Sequence, residues 1–265
     1  PSVPGYSVHN ISRIGNSKKT LADWINRDIY SIDDIDNPEV LKGYQSFQHL
    51  AHTKGQAIID SKEIQKNIRD LEFPIHFFDY ETYSSAIPEF ARFGPWQQIP
   101  FQYSMHVLKE DGSLEHKEYL ITEPSEDITL RLVERLAEDV NESGAVVVWY
   151  APFEKTRNSE LAALHPEHSA FLSKVNDRIF DLMKIFSDGY YVDPDFRGSN
   201  SIKSVLPVLV PDLLYTDLEI QTGSDAPVNW KKMMSLESGG PEQQIIQENL
   251  LEYCKLDSLA MVRIY

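Results

Sequence analysis

Cysteine is nearly absent from this chain of 265 residues, with Cys254 as the one example. A single thiol excludes an internal disulfide and a zinc site built from cysteines alone. Long apolar runs are missing as well, because none approaches the ~18–20 residues of a membrane-spanning helix. The first residues do not form a signal-peptide pattern. These absences argue against a disulfide-stabilised secreted protein, and we expect a cytoplasmic location.

Basic residues are scarce relative to acidic ones. The chain has 25 Lys and Arg against 41 Asp and Glu, a net charge of −16, and its pI is about 4.9. Broad attraction to a phosphate backbone usually needs a basic face, so this balance argues against it. A metal-dependent nuclease can nevertheless be acidic, because its carboxylates hold the ions. It would then need a local basic groove, a short substrate or a partner domain.

Apolar residues are plentiful enough for a large core, at 42% of the chain with 12 Phe, 13 Tyr and 4 Trp. Residues 1–72 are polar and are typical of short helices, whereas a regular strand and helix pattern begins at Phe73. We therefore predict a helical N-terminal segment or linker over 1–72 and one domain over 73–265. The sequence begins at Pro1 and stops at Tyr265 within a predicted helix, so we expect it to be part of a longer polypeptide.

The pattern after residue 73 predicts an α/β fold. Segments 75–81, 99–107 and 115–121 have strand character, and Asp111-Gly112 between the last two predicts a hairpin turn. A helix with Ser125 as its N-cap follows, and then a strand over 145–150 that is apolar on both faces. We predict a mixed sheet flanked by helices, with three antiparallel strands followed by parallel strands.

Two acids stand two positions apart at the end of the first predicted strand, Asp79 and Glu81. Side chains alternate faces along a strand, so both carboxylates point to the same side. They repel each other unless a cation lies between them, and hard divalent ions such as Mg²⁺ or Mn²⁺ suit carboxylate oxygens. The alternative is a strand end with two solvated acids.

Further acids occur at two later positions. Glu154 lies in the first turn of the helix that follows the buried strand, where ligands gather in open α/β sheets. Its alternative role is to complement the helix dipole. Asp257 lies one turn after Tyr253 on the apolar face of a predicted helix over 243–265. Burying this aspartate requires a partner, which is either a metal ion or a structural hydrogen bond.

These acids match three motifs in order. The first motif, D-x-E, is residues 79–81. The second motif is usually N-x-x-F-D and aligns with residues 150–154. The third motif, Y-x-x-x-D, is residues 253–257. Over residues 73–265 the chain resembles the DEDD-type 3′–5′ exonucleases of the ribonuclease H-like superfamily, in the tyrosine subgroup (DEDDy). Glu154 and Tyr150 depart from the second motif, in which aspartate and asparagine are usual.

More narrowly, segments 78–81, 99–103, 153–155 and 253–254 are similar to a bacterial family of uncharacterised ribonuclease H-like domains. Domains of that family are often joined to an upstream RecB-like nuclease domain. From this resemblance, such an upstream domain is a candidate partner within the full-length protein.

The resemblance implies a two-metal 3′–5′ exonuclease acting on single-stranded DNA or RNA. Tyr253 would orient the attacking water, and Asp181 is expected to be structural, with a ligand role as the alternative. The residues that would hold two Mg²⁺ or Mn²⁺ ions are Asp79, Glu81, Glu154 and Asp257. A catalytically degenerate module that binds nucleic acid or a partner nuclease domain is the second hypothesis, and an unrelated α/β protein is the third.

Four residues are candidates for substrate contact. Arg92 and Trp96 follow the first motif and could stack on the terminal base. Lys155, after the second motif, and Lys203 could contact phosphate. The alternatives are a loop packed on the core for the first pair and a solvated helix face for the lysines.

Overall fold

The computed structural model describes residues 4–265, which divide into two compact units. The described residues up to Asp70 form the first unit together with Met183–Pro211, and Leu71–Leu182 with Asp212–Tyr265 form the second. The boundary between residues 72 and 73 that the sequence suggests stays a prediction. A segment from the middle of the predicted domain groups with the N-terminal residues.

The helices and strands have the following bounds. The strands are β1 (Ile58–Ile59), β2 (Ile75–Tyr83), β3 (Ile99–Leu108), β4 (Leu114–Leu120), β5 (Val146–Val148), β6 (Ile179–Asp181) and β7 (Tyr191–Val192). The α-helices are α1 (Lys18–Asn26), α2 (Tyr44–Lys54), α3 (Ser61–Ile68), α4 (Leu130–Asp139), α5 (Ala151–Leu164), α6 (Ser169–Asp177), α7 (Met183–Ser187), α8 (Ile202–Leu209), α9 (Asp225–Met234) and α10 (Pro241–Ile264). Within residues 4–265, none of these helices has the length and apolar character that crossing a bilayer demands.

The first unit is mainly helical, and its two short strands, β1 and β7, pair antiparallel. The side chain of Gln48 links α2 to the N-terminal residues of this unit. Its Nε2 donates to the Asn10 carbonyl at 2.9 Å, and its Oε1 accepts from the Ser12 backbone amide at 2.9 Å. Gly198 has a φ of +76°, and a Cβ there would lie 2.0 Å from the Asn10 carbonyl oxygen. Only glycine fits at this position.

The second unit contains a five-stranded sheet in the order β4-β3-β2-β5-β6. Strand β3 pairs antiparallel with both β2 and β4, whereas β5 pairs parallel with both β2 and β6. Helices flank this sheet. The predicted α/β class is confirmed, with three antiparallel strands followed in the chain by parallel ones.

One face of the sheet is set by the pairing of β2 with β3. Asp79 lies opposite Ser104, and Glu81 lies opposite Gln102. Because alternate residues of a strand share a face, these four side chains point to the same side. Helix α10 packs against both strands. The acids of β2 therefore face the last helix.

Polar side chains hold α10 to this face, and we call Gln102, Ser104, His106 and Ser258 the polar seam. The Gln102 amide donates to the Leu250 carbonyl at 2.9 Å. Ser258 Oγ lies 2.8 Å from both Ser104 Oγ and His106 Nδ1. Because buried polar groups must find partners, these bonds favour one alignment of the helix along the strands.

Two local predictions differ from the structure. Helix α4 begins at Leu130 with Thr129 as its N-cap, so the prediction of Ser125 as the cap is wrong. The Ser125 hydroxyl instead donates to the carbonyl of Asp127. The buried strand ends at Val148, because the chain turns at Tyr150 into α5.

Candidate metal centre

Three carboxylates from distant parts of the chain meet on the face between the sheet and α10. Asp79 and Glu81 project from β2, and Asp257 projects from α10. Each offers an oxygen within 4.8 Å of the other two. Like charges at this separation repel, and a shared divalent cation removes the repulsion. The donor set consists of carboxylate oxygens, which are the ligands that Mg²⁺ and Mn²⁺ prefer.

The three acids differ in their access to solvent. Glu81 and Asp257 are buried, with 9% and 6% of their surface exposed, whereas Asp79 is half-buried. The pairing of β2 with β3 shifts register between Glu81 and Thr82. Such an irregularity bends a strand and is frequent beside functional sites. The half-buried Asp79 leaves this group of acids a route to solvent.

Glu154 lies outside this group of three, but the charges of two of its members act on it. It is 3% exposed at the start of α5. Burial raises the pKa of Glu154 well above its usual range, the charges of Asp79 and Glu81 raise it further, and a backbone hydrogen bond from Tyr80 opposes the shift. Among the described residues, its Oε2 has no hydrogen-bond partner. A buried carboxylate oxygen without a partner, facing the field of two other acids, fits a cation ligand.

Glu154→Gln is expected to raise the free energy of unfolding of the metal-free protein at neutral pH, because a neutral amide removes the cost of burying a charge or of taking up a proton to avoid it. Because the pKa of Glu154 is raised above 4.5, the folded state keeps a proton that the unfolded chain releases. The wild type therefore loses stability as the pH rises from 4.5 towards the raised pKa, whereas the amide does not titrate. Urea unfolding in EDTA at about pH 5 and pH 8 measures the difference.

The matched control is Glu134→Gln, which breaks a surface ion pair with Arg131 of 2.9 Å and should change stability little at either pH. A gap between wild type and Glu154→Gln that stays constant or narrows with rising pH would contradict the buried, proton-holding state of Glu154.

Tyr215 is a residue of the site that the sequence did not reveal. It is buried, and its hydroxyl donates to Asp257 Oδ1. Its ring centroid lies 6.1 Å from that of Tyr253. Burial raises the pKa of both tyrosines, with the charge of Asp257 as the next cause, so both phenols stay protonated at neutral pH. Tyr215 belongs to no motif, and no periodic pattern surrounds it.

Cys254 also borders the site. Its Sγ lies 4.0 Å from Asp79 Oδ2. Burial raises the pKa of the thiol well above its usual range, and the charge of Asp79 adds to the effect. The thiol therefore stays protonated, and a protonated thiol is a weak nucleophile.

Asp181 has a structural task. Its Oδ2 accepts a hydrogen bond from the Ala151 amide at 3.1 Å, at the first residue of α5. This bond satisfies one of the free N–H groups at the helix start. Asp181 thus helps to place the turn of chain that carries Glu154.

The four candidates for substrate contact lie in different environments. Arg92 forms an ion pair with Asp127 of 2.5 Å, and its guanidinium also donates to the Leu164 carbonyl. Trp96 is 70% exposed, and Lys155 is exposed on α5. Lys203 lies on α8 and belongs to the first unit.

Residues 76–201 match the family described as Domain of unknown function (DUF2779). This region includes Asp79, Glu81 and Glu154 and ends before α9 and α10. The match covers less than half of the chain.

Two curated proteins are similar to most of the chain. "Uncharacterized protein MG366" of Mycoplasma genitalium is 29% identical over 206 residues, which cover 71% of this chain and 31% of that protein. "Uncharacterized protein MG366 homolog" of Mycoplasma pneumoniae is 29% identical over 209 residues, with the same coverage. The chain thus spans about a third of the length of these relatives. No solved structure matches it.

Proposed function

We propose that this chain is a metal-dependent 3′–5′ exonuclease domain that removes nucleotides from single-stranded DNA or RNA. The observation that carries the proposal is the meeting of Asp79, Glu81 and Asp257 within 4.8 Å. These residues come from the first and third motifs of the DEDD pattern, which lie far apart in the sequence. A chance match of short motifs gives no reason for their side chains to share one site.

The sheet order supports a ribonuclease H-like fold for the second unit. Strands β2, β3 and β4 form an antiparallel meander, and β5 and β6 add in parallel beside β2. In this order the first long strand of the unit is central, and Asp79 and Glu81 lie in it beyond the residues that pair with β5. Ligands of α/β sheets commonly bind at the carboxyl ends of strands.

The donor set fits Mg²⁺ or Mn²⁺. Asp79, Glu81 and Asp257 would hold the metal, and Glu154, with its partnerless buried Oε2, would complete a site for a second ion. When bound, two such ions activate water and stabilise the leaving oxygen of a phosphodiester. The carboxylates thereby determine where the scissile phosphate binds. The negative charge of the phosphate would be repelled by the acids unless it lay beside the cations that the acids hold.

Tyr253 supplies a hydroxyl beside these acids. Because its pKa is raised, the phenol does not act as a base near neutral pH but can orient water by hydrogen bonding. Asp181 and the polar seam support the site without belonging to the group of acids. Asp181 holds the start of α5, and the polar seam holds α10.

Substrate binding must work against a net charge of −16. We propose that the exposed Trp96 stacks on a base and that Lys155 contacts phosphate. The guanidinium of Arg92 is already engaged by Asp127 and Leu164, so it acts at most by shaping the loop. With so few basic side chains available, we propose that the substrate is a short single strand or a strand delivered by an upstream RecB-like nuclease domain of a longer protein.

A second candidate function is a degenerate module that binds nucleic acid or a partner nuclease domain without cutting. The observation that favours it is the second motif, in which Glu154 replaces aspartate and the 50% exposed Tyr150 replaces asparagine. The longer arm of Glu154 moves the carboxylate by about one bond, and errors of ~1 Å can cost ~100-fold in rate.

One assay tests the proposal and separates these candidates. A 5′-labelled single strand is incubated with the protein and Mn²⁺, beside a strand whose 3′ end is blocked by phosphate and a reaction containing EDTA. Stepwise shortening of the open strand, arrested by EDTA and by the 3′ block, is the expected result. Binding without shortening supports the degenerate module instead. Internal cuts that ignore the 3′ block would contradict an exonuclease.

A further inference from the structure

Tyr215 contacts a candidate metal ligand from outside the motifs. It opens the 3₁₀ turn Tyr215–Asp217 between α8 and α9, well before Asp257 in the chain. Its ring is buried, and its hydroxyl donates to Oδ1 of Asp257. Both residues belong to the second unit.

The bond acts on the member of the acid group that comes from α10. Asp79 and Glu81 share one strand, so their relative position is fixed by the sheet. Asp257 must be brought to them across the interface between helix and sheet, and its side chain can rotate. A buried donor on Oδ1 limits that rotation and offsets part of its repulsion from the other two acids. It takes only part of the accepting capacity of the carboxylate, because each oxygen has two lone pairs.

We propose that Tyr215 is a positioning residue of the metal centre, which holds Asp257 in the orientation that completes the cation site with Asp79 and Glu81. This inference rests on the proposed function, because it assumes that the three acids bind a metal ion. Groups that orient metal ligands typically contribute 10–100-fold in metal affinity or activity. Tyr215 and Tyr253 thus have separate tasks: the first orients a ligand, and the second orients water.

The test is a Mn²⁺ titration followed by electron paramagnetic resonance. Tyr215→Phe keeps the ring and removes the hydroxyl, and its affinity for Mn²⁺ is expected to fall about 10–100-fold. Tyr103→Phe is the matched control. It breaks another buried bond from tyrosine to aspartate, the 2.7 Å contact with Asp139, and should leave Mn²⁺ affinity unchanged. Saturating Mn²⁺ should restore most of the rate of Tyr215→Phe.

A double-substitution cycle shows whether Tyr215 acts through Asp257. If it does, Tyr215→Phe should weaken Mn²⁺ binding in the wild type but not in Asp257→Asn. Equal Mn²⁺ affinity in Tyr215→Phe and the wild type would overturn the inference while leaving the proposed function standing. A loss of affinity shared by Tyr103→Phe would show a purely structural effect and also overturn it. A wild type that binds Mn²⁺ no better than Asp79→Asn would overturn the proposed function itself.

Discussion

Asp79→Asn is expected to lower the rate of Mn²⁺-dependent strand shortening about 10³-fold, the upper end of the loss typical when one preorganised group is removed from an active site. Asp79 lies in the group of three acids, and its charge also raises the pKa of Glu154. Asp79 differs from Glu81, which shares both properties, in being half-buried and so closer to solvent. Asparagine keeps the shape and one oxygen but removes the charge. Single-turnover shortening of a 5′-labelled strand measures the change.

Asp139→Asn provides the control for this variant. The side chain of Asp139 is largely covered and accepts a hydrogen bond from Tyr103 on the other face of the sheet, so its substitution tests the general cost of removing such a charge. We expect its rate to stay within a few fold of the wild type. If Asp79→Asn keeps more than a tenth of the wild-type rate, Asp79 is not a metal ligand and the nuclease proposal fails.

Tyr253→Phe is expected to lower the same rate about 100-fold, the typical cost of misplacing a reacting group by ~1 Å. Its affinity for Mn²⁺ should stay unchanged, because the phenol is assigned to water and not to the metal. The raised pKa of Tyr253 adds a second expectation. The wild-type rate should show no step from phenol ionisation between about pH 7 and pH 9, because the group is protonated throughout.

The two tyrosine variants therefore have opposite signatures. Tyr253→Phe should change the rate at saturating Mn²⁺, whereas Tyr215→Phe should change the Mn²⁺ concentration that saturation requires. A Tyr253→Phe variant with normal rate and weakened Mn²⁺ binding would exchange the roles of the two residues.

The acids of the site could be predicted because each lies in a periodic element. Alternation along β2 places Asp79 and Glu81 on one face, and the helical period puts Asp257 on the buried side of α10. Their meeting could not follow from local patterns, because it depends on α10 packing across the antiparallel strands. The resemblance to a family supplied the expectation that four acids hold the metal; Asp79, Glu81 and Asp257 lie within 4.8 Å of one another, and Glu154 lies outside that group.

Tyr215, in contrast, could not be predicted, because it does not lie in a periodic element. It lies in an irregular segment, in which neither a two-residue nor a 3.6-residue period constrains where a side chain points. Its bond to Asp257 exists only because the chain between α8 and α9 passes the acid group. Arg92 illustrates the same limit, since its positive φ of 69° and its bonds to Asp127 and Leu164 have no local signature.

The division of the chain into two units also could not be predicted from the sequence. The strands β1 and β7 are two residues each, and the residues that pair are separated by about half of the chain. Two residues carry no detectable alternation, and a contact between distant segments leaves no trace in composition. The sequence therefore did not indicate that Met183–Pro211 groups with the N-terminal residues.

The polar seam has a consequence for how the protein is made. Asp79 and Glu81 leave the ribosome before Asp257 and Ser258, which emerge with α10, the helix that the seam holds on β3. Until that moment the growing polypeptide lacks one of the three carboxylates. The antiparallel meander can therefore form before the three carboxylates meet, and any cation site that they build is complete only once α10 has packed on the sheet.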